Sequence, residues 1–183
     1  MKKTIFITGA AKRIGKEIAL CFSEMGWNII IHYNSSKNDA QVLADEINGT
    51  NPDSAITVQG NLDVKEDVEK VINEVRDAFP TIDLLINNAS TFYPTPIEDI
   101  SEEHWDKLVG SNLKGPLFLI KGLKDKLKES KGSIINITDT NLSKGVANYS
   151  IYSAAKAGLE SITKGLAREL SLIHISEPTR RVF

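Results

Sequence analysis

The stretch Thr8-Gly9-Ala10-Ala11-Lys12-Arg13-Ile14-Gly15 constrains this chain more than any other. It follows the apolar run Thr4-Ile5-Phe6-Ile7 and opens a helical pattern, so it reads as a strand, a tight glycine turn and a helix N-terminus. That order suits a phosphate. Gly9 can adopt a backbone conformation closed to other residues, Gly15 lets helix and strand approach closely, and the first free N–H groups of the helix point at an anion. Arg13 stands where a dinucleotide fingerprint more often has glycine, and it adds a fixed cation beside the phosphates.

Strands and helices then alternate at spacings typical of βαβ units. Ile14, Ile18, Ala19, Phe22 and Met25 recur at helical spacing up to Gly26, and Asn28 to Tyr33 forms a continuous apolar strand. Ala40, Leu43, Ala44 and Ile47 mark a second helix ended by Gly49, and Ala55 to Gln59 a third strand. Asp63 and Glu66 have capping-box spacing ahead of a helix faced by Val64, Val68, Val71, Ile72, Val75 and Phe79. A fourth strand covers Ile82 to Ile86, a long helical region bent around Gly115-Pro116 spans Ser101 to Lys128, a fifth strand covers Ser133 to Thr138, and a last helix runs from Tyr149 to Leu170. The expected fold is α/β: a doubly wound parallel sheet of Rossmann type in three layers, with right-handed crossovers and a ligand crevice at the C-terminal ends of the strands.

Bulk properties narrow the function classes. A chain of 183 residues fits one domain, and a net charge of −2 gives no electrostatic footprint for nucleic acid or an anionic membrane. The apolar run after Met1-Lys2-Lys3 is too short for a signal peptide or a membrane span. The single cysteine, Cys21, excludes an internal disulfide framework, suits a reducing cytoplasm, and reads as a buried packing residue of the first helix. His32, His104 and His174 lack metal-ligand spacing, so no metal site is expected.

The end of the second strand speaks to the cofactor. A site for NAD usually carries an acid there to hold the ribose 2′-hydroxyl, whereas this chain has His32, Tyr33, Asn34, Ser35, Ser36 and Lys37. Nothing in that run repels a 2′-phosphate, and its hydroxyls and cation could hold one, which favours NADP.

The fourth strand runs into Asn87-Asn88-Ala89-Ser90, and the last helix carries Tyr152 and Lys156 one turn apart on one face. With the glycine turn, the Asn-Asn-Ala segment, Asn112 and Tyr152-x-x-x-Lys156 in order, the chain resembles the short-chain dehydrogenase/reductase superfamily from Lys3 to Leu170. The resemblance implies a cofactor crevice formed by Gly9, Arg13, Ile14, Gly15, Tyr33, Asn34, Ser35, Ser36, Asn61, Leu62, Asn88, Ala89 and Ser90, joined by Tyr152 and Lys156. It also implies that Tyr152 passes a proton to or from substrate, that Lys156 holds the nicotinamide ribose, and that Asn112 supports a water relay to that lysine. An ammonium one helical turn away is expected to lower the phenol pKa from about 10.

One departure narrows the reading. Where the superfamily commonly has a carbonyl-polarising serine, thirteen residues before the tyrosine, this chain has Asp139. A carboxylate donates no hydrogen bond unless protonated, but it can orient a tyrosine and pair with the amino-substituted edge of a heterocycle. With Arg13 and the run Ser90-Thr91-Phe92-Tyr93-Pro94-Thr95-Pro96, Asp139 makes the chain resemble the pteridine reductases and their dihydromonapterin-reducing relatives. That resemblance implies a pterin stacked on Phe92, its edge met by Arg13, Ser90, Asp139 and Tyr152, and NADPH-dependent reduction of a C=N bond with a proton from Tyr152. A carbonyl reductase acting on a 3-oxoacyl thioester or a sugar is the alternative, and an inactive NADP-binding fragment a third. The likeness stops near Ser171, so the expected organisation is one domain over residues 1–170 and a non-family tail over 171–183 that reads as non-native, with the C-terminal strands missing. Family members form homodimers or homotetramers, and the same is expected of a complete version of this chain.

Overall fold

The computed structural model describes residues 2–142 and 144–170, together with the backbone of His174–Ile175. Six parallel strands form one sheet: β1 (Thr4–Ile7), β2 (Asn28–Tyr33), β3 (Ala55–Gln59), β4 (Leu84–Asn87), β5 (Ser133–Asn136) and β6 (His174–Ile175). Their spatial order is β3-β2-β1-β4-β5-β6. Between them run α1 (Arg13–Glu24), α2 (Lys37–Thr50), α3 (Lys65–Ala78), α4 (Glu102–Val109), α5 (Gly115–Glu129) and α6 (Ser150–Glu169).

The strands are apolar at most positions because both faces of the sheet are covered, and the register sorts them. Phe6 pairs with Ile30 and Leu85, and Leu85 with Ile134; all four point into a core built with Val68, Val71 and Val75 of α3 and Leu119, Leu123 and Leu127 of α5. Their neighbours Ile5, Ile7, Ile29, Ile31, Leu84 and Ile86 point the other way, against Ala19 of α1 and Ala40, Leu43 and Ile47 of α2. Period-two alternation thus places alternate residues of the same strand in two separate cores. Each fully buried large side chain adds about 2 kcal/mol of burial free energy, and a one-residue slip in any strand would exchange the two sets and cost packing fit on both faces.

Local chemistry shifts several expected boundaries. β4 begins at Leu84 because the Asp83 carboxylate accepts the Thr4 N–H at 2.9 Å. The long helical region is broken at residues 110–114 rather than at Gly115-Pro116, by a π-helical turn in which the Gly115 N–H donates to the Gly110 carbonyl. Pro116 has no N–H to offer the Asn112 carbonyl four residues back, and the wider turn accommodates that loss. The capping box does not form: Val64 precedes α3 without a side-chain cap, Asp63 turns toward Gly110, and the Asp67 carboxylate instead accepts the Asn61 N–H at 2.7 Å. Cys21 is exposed, on the solvent side of α1, while Ala19 and Ser23 face inward. At the C-terminal edge, where strands were expected to be missing, β6 pairs His174 with Ser133 and Ile175 with Ile134, so that edge of β5 is partly covered. The remainder of the 171–183 tail lies outside the described residues.

His32, at the end of β2, ties three segments together. Its buried ring accepts the Gly9 N–H on Nδ1 at 3.1 Å, which leaves the proton on Nε2, 3.0 Å from the Gly60 carbonyl that accepts it. Burial lowers its pKa to about 4, the Gly60 bond offsetting only part of the effect. The unfolded ring, with a pKa near 6.5, binds the extra proton first as pH falls, so stability is intact above about pH 6.5 and is lost toward pH 4, by about 3 kcal/mol from this group. Urea midpoints at pH 7 and pH 4.5 check this: the difference should shrink in His32→Asn, where no ring titrates.

Candidate active site

The strand order reverses between β1 and β4, and the loops leaving these two strands part there to leave a crevice. Thr8 and Asn88 brace it. The Thr8 hydroxyl accepts the N–H groups of Asn88 and Ala89, each at 2.9 Å, and the Asn88 amide donates to the carbonyls of Thr8 at 2.8 Å and Gly9 at 3.1 Å. Gly9 has φ +62°, and a Cβ on Gly15 would stand 2.5 Å from the Gly9 carbonyl and 2.7 Å from the Asn88 amide nitrogen. No other residue fits at Gly15. The result is a narrow cradle at the start of α1, and such a cradle suits a dinucleotide's phosphates.

The cleft above it has a volume of about 470 Å³. Gly9, Arg13, Ile14 and Gly15 form one wall and Asn88, Ala89 and Ser90 another, with Asn34, Asn61 and Leu62 at the β2–β3 end. Lys12, His32, Thr91 and Ser111 complete the lining. Arg13 holds φ +52°, a left-handed conformation that glycine adopts without cost and other residues adopt at about 1 kcal/mol. This explains the glycine that dinucleotide fingerprints carry there. Five expected cofactor residues lie off the lining: Tyr33 packs against the core under α1 and α2, Ser36 precedes the first turn of α2, Ser35 is exposed beside it, and Tyr152 and Lys156 stand on α6.

Further along, α6 presents Tyr152 and Lys156 from consecutive turns. The Tyr152 hydroxyl donates to Asp139 Oδ2 at 3.0 Å, and the Asn141 N–H fixes the other carboxylate oxygen at 2.7 Å. Lys156, 2% exposed, donates to the Ile137 carbonyl at 2.9 Å. The expected effect of Lys156 on Tyr152 is overturned: the phenol is pushed up to about 12, by burial first and then by the hydrogen bond and charge of Asp139. The ammonium is aimed at a backbone carbonyl while the carboxylate sits on the phenol. Lys156 is itself lowered to about 8, because burial outweighs the attraction of Asp139.

Asn112, in the π turn, is wholly buried; its amide donates to the carbonyls of Thr91 and Leu108, both at 2.9 Å, and its oxygen accepts the Ser90 hydroxyl at 2.8 Å. It thereby joins the Ser90 loop to the helix that packs on α6. Phe92 stacks on Tyr149 (centroids 4.5 Å apart, planes 12° apart) and meets Tyr152 edge-on, and the residue is 58% exposed. Sequence reasoning assigned no task to Thr8, His32 or Tyr149. A threonine between a strand and a glycine, and a histidine ending an otherwise apolar strand, were the signals available.

The family model for short chain dehydrogenase matches residues 3–176. A 3-oxoacyl-[acyl-carrier-protein] reductase of Staphylococcus epidermidis is 34% identical over 172 residues, covering 93% of this chain and 70% of the relative. Pteridine reductase 1 of Leishmania tarentolae is 32% identical over 209 residues, 92% of this chain and 72% of the relative. A 3-oxoacyl-[acyl-carrier-protein] reductase of Synechocystis is 36% identical over 166 residues, with 90% and 67% covered. A match that runs through every strand from β1 to β6, on a cleft opened where the strand order reverses, makes this chain a member of the short-chain dehydrogenase family and an oxidoreductase.

Proposed function

We infer that this chain is an NADPH-dependent reductase of a pterin or dihydropterin. The hydrogen bond from Tyr152 to Asp139 carries this reading, because an ionised carboxylate cannot itself polarise a carbonyl oxygen but offers an acceptor to an amino-substituted ring edge. NADPH supplies the hydride when bound. Gly9, Gly15 and the first N–H groups of α1 hold its phosphates, Asn61 and Leu62 its adenine end, and Lys156 its nicotinamide ribose. Among the described residues no carboxylate lines the cleft at its β2–β3 end, where Asn34 stands, and this favours the extra phosphate of NADP over NAD; Lys12 is also on the lining, though it shares its charge with Asp39 at 3.0 Å.

The exposed face of Phe92 takes the flat ring, with Ser90 and Arg13 at its edge. A phenol held near pKa 12 keeps its proton at neutral pH, so Tyr152 is a proton donor, delivering to the ring nitrogen as the adjacent carbon is reduced. Asp139 holds that hydroxyl until substrate arrives. A second reading, a carbonyl reductase, is favoured by the two 3-oxoacyl reductases among the relatives. The groove between α5 and α6, in which Leu117, Phe118, Leu166 and Leu170 lie beside Lys121, Lys124 and Glu169, suits the pairing of two copies as a homodimer.

Three measurements test these assignments. Purified protein offered a dihydropterin should oxidise NADPH much faster than NADH; faster turnover of a 3-oxoacyl thioester would replace the pterin reading with the carbonyl one. Tyr152→Phe should lower kcat by about a hundredfold or more while NADP⁺ affinity, measured by calorimetry, stays near that of the unaltered protein. Lys156 must be charged to hold the ribose, so kcat/KM for NADPH should fall as pH rises through about 8, and Lys156→Arg should abolish that alkaline limb.

A further inference from the structure

The two loops that close the far end of the cleft are spaced by one side chain. The Gly9 N–H is held by His32 Nδ1, the Ala10 N–H by the His32 carbonyl at 2.9 Å, and the Gly60 carbonyl by His32 Nε2–H. Gly60 is packed tightly against α3, where an added Cβ would stand 2.6 Å from Val71. The imidazole is buried edge-on against Phe6 and, among the described residues, has no charged group bonded to it, so its position is set by its two backbone partners, Gly9 and Gly60, and by packing. Gly60 leads directly into Asn61 and Leu62 on the cleft lining, and Gly9 is itself on it.

We propose that His32 is a positioning residue for the nucleotide: a neutral ring protonated on Nε2 sets the left-handed Gly9 turn and the Gly60–Leu62 turn at a fixed separation, and cofactor affinity depends on it. The proposal rests on the nucleotide reading of the cleft. Its chemistry is asymmetric. Only an acceptor at Nδ1 holds the Gly9 N–H, which must point into the protein for the turn to keep its shape, while the Nε2 donor merely anchors the ring.

Two substitutions separate these halves. His32→Asn puts an amide oxygen where Nδ1 stands and keeps the Gly9 bond; His32→Gln puts an amide nitrogen where Nε2 stands and keeps only the Gly60 bond. NADP⁺ titrations by calorimetry on the full chain should show His32→Asn within about threefold of the unaltered protein and His32→Gln weaker by about tenfold or more, the cost of leaving one buried N–H unpaired. Thermal melts without nucleotide report folding of each variant. Equal affinity for the two variants, whatever their melting temperatures, would overturn the proposal. Should either variant not fold, ¹⁵N NMR of the unaltered protein decides: the His32 ring should carry its proton on Nε2 at pH 7 and shift on NADP⁺ addition, and a ring protonated on Nδ1 or indifferent to nucleotide would overturn it. If the folded, unaltered chain binds no NADP⁺, the nucleotide reading itself fails and this proposal falls with it.

Discussion

The cleft keeps its shape because the Asn88 side chain is clamped between two carbonyls of the glycine turn. Its amide reaches Thr8 and Gly9 from the neighbouring strand, and the Thr8 hydroxyl answers by taking two N–H groups of the Asn88 loop. These are polar groups at the ends of parallel strands, where the ladder stops and backbone would otherwise lack partners. Satisfying them crosswise fixes the two diverging loops against each other. The sheet topology opens the space for a ligand, and hydrogen bonds between the loops fix its width.

On the opposite side of the cleft, electrostatics replaces geometry as the organising term. Three ionisable groups, Asp139, Tyr152 and Lys156, share a half-buried region, and their pairing differs from what the helical interval alone suggests. That interval places phenol and ammonium on one face, yet the ammonium turns to a backbone carbonyl and the phenol to the carboxylate. Burial then raises one pKa and lowers the other, so both groups are neutralised more easily than they would be in water. At neutral pH the phenol is protonated and the ammonium still charged.

Most of the architecture was legible in the residue pattern, because continuous apolar strands and amphipathic helices of ordinary length are direct consequences of a sheet covered on both sides. What could not be read depended on contacts between distant residues. The Asp63–Glu66 spacing fits a cap, but Gly110 leaves room for Asp63 to turn elsewhere. Cys21 sits among apolar residues in sequence yet falls on the outer face of α1. Pro116 announces a helix defect, and the defect lies one turn earlier, where the Asn112 carbonyl can take no N–H from Pro116. Within the site, Gly9, Gly15, Asn88 and Tyr152 could be placed by their local surroundings. Thr8, His32 and Tyr149 could not, since each acts on a partner from another strand or loop.

Arg13 carries a different consequence. A cation occupies a left-handed backbone position where glycine would be at ease, so the chain gives up some folding free energy to keep a guanidinium on the cleft wall. Selection for heat resistance alone would favour glycine at that position, while selection for turnover would keep arginine. Laboratory evolution of this chain under the two pressures would separate at this residue, in opposite directions.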